Sequence, residues 1–189
     1  MTELEKYINS YFGVDEEDLL HISSLFKPQT LKKGDFYLKT GRYCEKMSFV
    51  RYGLIRIYAT TDDREVTQWI STAGYFTTDL ASFVFEKPAR WTIQALTDTE
   101  LFTISKEDYS RLGTRIPKWH LLEKLFIARC FIMLEDRIFR HLSMSAEERY
   151  QFFFEQNKEL FNQVPLQYLA SMLGMTPETF SRIRRKTIS

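Results

Sequence analysis

The sequence predicts an α+β chain: two short helices, a many-stranded barrel or double-sheet jelly roll, one long helix and a small helical unit at the C-terminus. Three observations carry this reading. The apolar period is helical up to residue 26, two from about residue 29 to 104, and helical again afterwards. Turn-forming residues break the period-two region at near-even intervals, the pattern of a closed or double-sheet β structure. Beyond Pro117 the chain stays helical and nearly uncharged from Leu121 to Leu134. With 189 residues, 44% apolar and 27% charged, the chain has an ordinary globular composition and enough length to bury a core.

Residues 3–12 place Leu4, Ile8, Tyr11 and Phe12 at helical spacing; residues 15–26 do the same with Leu19, Leu20, Ile22, Leu25 and Phe26. Asp15 is the expected cap of the second helix, and Pro28 its expected end. Strands are expected at 36–38, 47–50, 54–58, 65–70, 91–96 and 100–104, with turns at 33–35, 40–42, 52–53, 61–63 and 97–99. Ser105 and Asp108 open a short helix expected to close near Gly113.

The long helix runs to about Leu142. A helix apolar on nearly all sides must be covered twice, once by its own barrel and once by something else; a second copy of the chain is the natural cover. Leu122, Leu125, Arg129, Ile132, Asp136 and Phe139 recur at 3–4 spacing as the expected dimer seam. Ser145 and Glu148 form a capping box that starts another helix, through about Asn157, with Tyr150, Phe153 and Phe154 inward. Two short helices follow at 165–173 and 176–186. The expected units are therefore 1–116, 117–142 and 143–189.

The charge balance is +1, but it is unevenly spread. Residues 164–189 hold Arg182, Arg184, Arg185 and Lys186 against Glu178 alone. The same segment has the spacing of a helix-turn-helix. Ala170 allows close contact, Gly174 takes the turn, Thr176 caps, and Pro177 sits where its missing N–H costs nothing. Leu169, Leu173, Phe180 and Ile183 make the inner seam, leaving Glu178, Thr179, Ser181 and Arg182 outside. Such a helix fits a DNA major groove: Arg can bond guanine bidentately, Glu can accept from cytosine, and Arg184, Arg185, Lys186 and the helix N-terminus with Thr176 can reach phosphates. A helical hairpin that binds protein is the plainer alternative.

From these residues the chain resembles the cyclic-AMP receptor protein/FNR (CRP/FNR) family of bacterial transcription regulators. The resemblance rests on 31–41, 49–76, 88–109, the long helix and the final helix pair. Glu178, Ser181 and Arg182 stand where that family's recognition helix carries Glu, Ser or Gly, and Arg. It implies a double-stranded β-helix sensor domain like the cyclic-nucleotide-binding domain, a homodimer along the long helix, double-stranded DNA as partner at a palindrome, and RNA polymerase as a further partner. It also implies a small-molecule effector between Phe76, Thr78, Asp79, Arg90, Trp91 and Thr92. The family's nucleotide-binding members carry Gly and Glu where Thr78 and Asp79 stand. These departures disfavour a cyclic nucleotide, so no cofactor is expected.

Two cysteines, Cys44 and Cys130, are too few for an iron–sulfur cluster or a disulfide framework. The three histidines lie outside the strand patterns, which argues against a metal-dependent barrel enzyme, the rival class. With no membrane-length apolar run and an acidic, amphipathic start, the expected location is the cytoplasm. Tyr75, Phe83, Phe85 and Trp91 are expected around the pocket, filling part of its space.

Overall fold

The structure, a computed structural model, describes residues 1–61 and 64–188. Asp62 and Asp63 of the expected 61–63 turn lie outside the described residues. The chain opens with α1 (Glu3–Phe12) and α2 (Glu16–Ser24), capped by Thr2 and Asp15. Eight strands follow: β1 (Lys27–Leu31), β2 (Phe36–Leu38), β3 (Lys46–Tyr52), β4 (Ile55–Thr60), β5 (Glu65–Ser71), β6 (Phe76–Thr77), β7 (Thr92–Ala95) and β8 (Thr99–Ser105). Helix α3 (Leu80–Phe85) interrupts them after β6. Then come α4 (Lys106–Arg115), α5 (Trp119–Ser143), α6 (Ala146–Gln156), α7 (Leu160–Gln163), α8 (Leu166–Met172) and α9 (Pro177–Ile188).

The strands form two antiparallel four-stranded sheets, ordered β1-β8-β3-β6 and β2-β7-β4-β5. Their facing sides supply the core through Val50, Ile55, Ile93 and Leu101. Strand β3 departs from alternation, burying Met47 to Val50 in succession. It is covered on its outer side too: the Tyr7 and Tyr11 rings of α1 lie 6.2 and 5.6 Å from Phe49. Gly53 turns β3 into β4 at φ +92°, where a Cβ would meet the Asp98 carbonyl at 2.5 Å, so only glycine fits.

Several expectations need correction. Helix α2 stops before Pro28, which lies within β1 at a sheet edge, where a missing N–H is tolerated. Strands β1 and β6 and helices α3 and α7 are absent from the sequence reading. Gly113 lies inside α4, which continues to Arg115. Phe83 is buried against Tyr109 and Phe85 is exposed, so neither lines the barrel pocket.

Not every residue of the expected α5 seam is exposed. Leu122 is buried in this chain's own core, beside Phe126, whose ring stacks on Phe12 at 4.8 Å. The Arg129 guanidinium donates to the Ser10 and Tyr11 carbonyls at 2.8 and 2.7 Å, holding the end of α1. Leu122 is therefore covered within the chain, while Arg129 stays exposed. One exposed stripe is Leu121, Leu125, Ala128, Ile132, Glu135, Phe139 and Leu142, at alternating spacings of four and three. Leu125, Ile132 and Phe139 of the expected seam stay on it.

A second core joins α6–α9 to Leu54 and Ile70 of the barrel. Its polar centre is Arg56, on β4 and only 1% exposed. The Arg56 Nε donates to Thr67 Oγ1 at 2.9 Å and Nη1 to Glu65 Oε2 at 2.6 Å. Its guanidinium lies 4.1 Å from the Tyr58 ring and 3.6 Å from that of Tyr168 on α8. Beside it the Thr67 N–H, on edge strand β5, donates to Ser171 Oγ of α8 at 2.9 Å. Helix α8 thereby covers a sheet edge that would otherwise be unpaired.

Arg56→Ala is expected to lower the unfolding free energy by about 2–4 kcal/mol in urea denaturation, from lost packing and unmet hydrogen bonds. Arg56→Lys should recover only part of it, since an ammonium cannot stack as a plane between two rings. A loss below about 1 kcal/mol for the alanine variant would contradict this role of Arg56.

Candidate functional site

Two regions gather the residues that the sequence singles out: the helix pair α8–α9, and a cavity between the barrel and α5.

In the pair, Ala170, Leu169, Leu173, Phe180 and Ile183 are all buried. Gly174 makes the turn at φ +68°, and the Met175 N–H bonds back to the Ala170 carbonyl at 2.9 Å. Thr176 Oγ1 accepts from the Thr179 N–H at 3.2 Å, and Pro177 is the first residue of α9. The Phe180 ring packs 5.1 Å from Tyr150 and 5.8 Å from Phe161, which fixes how α9 is rotated on α6 and α7.

That rotation leaves Thr176, Glu178, Arg182, Arg185 and Lys186 exposed, with Thr179, Ser181 and Arg184 half-buried. The Lys186 Nζ pairs with Glu147 Oε1 of α6 at 2.9 Å. The Arg185 Nε donates to the Ser181 carbonyl at 3.4 Å. The Glu178 carboxyl is held below the usual range by its own backbone N–H and the Thr176 hydroxyl, so it is an anion at neutral pH. Thr176 and Glu178 also border a cleft against Arg64, Glu65 and Val66 of the barrel.

The barrel cavity has a volume of about 330 Å³. Phe76, Thr78, Asp79, Arg90 and Trp91 line it, with Cys130 and Leu134 of α5 opposite. Thr92, expected among them, is not on its wall; its hydroxyl is 2.9 Å from that of Thr40. Thr78 donates to the Lys46 carbonyl at 3.1 Å, so its hydroxyl is engaged. Burial pushes the Cys130 thiol up to about 11, which keeps it protonated and a poor nucleophile.

Asp79 sets the electrostatics of this cavity. It is 1% exposed and caps α3, its Oδ1 accepting from the Ser82 N–H at 3.0 Å. Its Oδ2 accepts from the Arg90 and Trp91 N–H groups at 2.9 and 3.1 Å. A carboxylate of the chain itself thus takes the backbone donors at the end of the cavity and puts a negative charge there. The Arg90 guanidinium lies 4.8 Å over the Trp91 ring and is exposed. Reading Asp79 as a shortened ligand-binding Glu missed this role. The signal was present, since Asp followed three residues later by a serine whose N–H it caps is a helix-start pattern.

Among the described residues no three His, Cys, Asp or Glu side chains converge to hold a metal ion. No described helix is long and apolar enough to cross a membrane.

A double-sheet barrel carried on a long helix defines the class, and the comparisons agree with it. Residues 28–115 match the cyclic nucleotide-binding domain family. The whole chain is similar in fold to the catabolite activator protein of Thermus thermophilus (22% identity, TM-score 0.60, covering 95% of this chain and 85% of that one). FixK2 of Bradyrhizobium japonicum is similar at 18% identity and TM-score 0.70, covering 85% and 83%. So is CLP of Xanthomonas campestris, a c-di-GMP-responsive global regulator, at 17% and 0.66, covering 92% and 91%. No curated protein matches the chain in sequence. At these identities the likeness is one of fold.

Asp79→Ala is expected to cost about 2–4 kcal/mol of stability by thermal or urea unfolding, through a lost cap and two unmet N–H groups. Asp79→Asn should cost less, because its amide oxygen still accepts.

Proposed function

We propose that this chain is a sequence-specific DNA-binding transcription regulator that acts as a homodimer on a palindromic site. The observation that carries the reading is the orientation of α9: Phe180 and Ile183 are buried while Glu178 and Arg182 stand exposed on its outer face. A helix so oriented can enter a major groove, where Arg182 can bond a guanine bidentately and Glu178 can accept from a cytosine amino group. Thr176, Thr179, Ser181, Arg184, Arg185 and Lys186 belong to the same interface. The ion pair of Lys186 with Glu147 opens when a phosphate takes its place.

The exposed stripe of α5 supports the dimer. Leu121, Leu125, Ile132, Phe139 and Leu142 leave an apolar seam with Ala128 at its middle, a small residue that allows two helices to approach. Two recognition helices related by this seam can read half-sites about 34 Å apart. The barrel cavity is the effector site in this reading. Asp79 already takes the Arg90 and Trp91 backbone N–H groups that a phosphate could use, and the Trp91 and Phe76 walls favour a largely apolar molecule. Occupancy would favour one rotation of the long helices, and so one spacing of the recognition helices.

DNA selected from a random pool should bind the wild-type chain far more tightly than unrelated DNA by fluorescence anisotropy. Arg182→Ala should weaken that binding by about 1–3 kcal/mol and relax preference at one base pair per half-site. Affinity that is the same for all DNA, whatever the salt concentration, refutes sequence-specific reading. In sedimentation, Leu125→Glu or Ile132→Glu should convert dimers to monomers with the far-ultraviolet spectrum unchanged; a dimeric variant places the interface elsewhere.

A further inference from the structure

A second cavity, of about 320 Å³, lies where the barrel, the C-terminal half of α5, α6 and α8 meet. It is about as large as the barrel cavity and richer in arginine. Arg137, Arg140 and Arg149 line it, with Asp136 as the carboxylate on the wall. Among the described residues none of the three arginines forms an ion pair within 4.0 Å. Arg149 is spent on main-chain carbonyls: its Nε donates to Leu173 at 3.1 Å and its Nη1 to Met144 at 2.7 Å. Arg137 donates to the Met172 carbonyl at 3.4 Å and lies 5.2 Å over the Trp69 ring. Arg140 lies 4.7 Å over the Phe152 ring.

Carbonyls and ring faces stabilise a guanidinium but do not neutralise it. Partly buried, like-charged arginines around one space leave that space positive in a medium that screens poorly. Burial and the neighbouring Arg140 both weigh against the charged form of Arg137, a cost that a bound anion would relieve. The walls that are not cationic are largely aromatic and aliphatic, with Trp69, Tyr75 and Phe153 among them. Arginines suit planar, bidentate acceptors, and ring faces suit a planar ligand body. The volume fits a molecule of one or two rings with a carboxylate or phosphate.

We propose that this cavity is a ligand site for a small planar organic anion, with its acid group held by Arg137 and Arg140 and its ring against Trp69 and Phe152. The site is separate from the barrel cavity, although Trp69 and Arg137 stand on the walls of both. It does not depend on DNA reading. A ligand there touches the barrel, α5, α6 and α8 together, and so bears on how the C-terminal helices sit against the barrel.

The test is calorimetry on the full chain with salicylate, indole-3-acetate and AMP, and with salicylamide as an uncharged control. At least one of the three acids should bind saturably, and salicylamide should bind at least tenfold more weakly than salicylate if salicylate is the binder. Arg140→Gln should weaken the bound acid about tenfold, whereas Arg90→Gln, in the barrel cavity alone, should leave it unchanged. A carboxylate-only or AMP-only result tells which acid group the site takes. The proposal is overturned if none of the acids binds saturably, if Arg140→Gln binds like wild type, or if the Arg90 variant alone loses binding. Arg140 is half-buried at the cavity edge, so its replacement should fold; an unchanged melting curve checks this.

Discussion

The Arg56 guanidinium, stacked between Tyr58 of the barrel and Tyr168 of α8, joins the two halves of the molecule. Taking a cation out of water is costly unless its donors and its faces are all used. Here Thr67 and Glu65 take donors in the plane, and two phenol rings cover the faces. The arrangement works only if α8 lies against β5, because one of the two rings belongs to α8. The neighbouring bond from the Thr67 N–H to Ser171 fixes the same contact from the sheet edge. The position of α8 relative to the barrel thus depends on a charge that has to be satisfied as well as on an apolar core.

Helix α5 carries the other link. Its first half is committed to the chain's own core through Trp119, Leu122 and Phe126, and Arg129 holds α1. Its second half borders both cavities on one side and presents the 3–4 stripe on another. A rigid helix wedged between packed surfaces moves as a unit, so whatever fills either cavity bears on the stripe and on the helices after it.

The two cavities meet at Trp69 and Arg137 and differ in the rest of their walls. Near the barrel end Asp79 occupies the backbone donors with the chain's own carboxylate. Near the C-terminal helices three arginines surround the space. In the domain family that residues 28–115 match, the name itself points to a nucleotide. In this chain the larger group of arginines lines the cavity outside the barrel, beside α6 and α8.

The sequence alone determined the element types, the double-sheet barrel, the long helix and the inner and outer faces of the final helix pair. Those follow from local rules: period two against 3.6, caps such as Asp15, Ser145 and Thr176, and the turn at Gly174. What it could not decide were contacts made across the fold. Leu122 and Leu121 look alike in a helix that is apolar all round, and only packing against Phe12 tells which one turns inward. Asp79 reads as a ligand residue until the N–H groups of residues 90 and 91 are brought to it. Arg56 stands out in the sequence as the one charge in an apolar strand, yet its partner Tyr168 is more than a hundred residues away. The three arginines of the second cavity sit on two helices whose angle is set by the fold alone. Side-chain periodicity is a property of neighbours along the chain, whereas charge compensation and burial depend on which distant segments meet, and tertiary structure decides that.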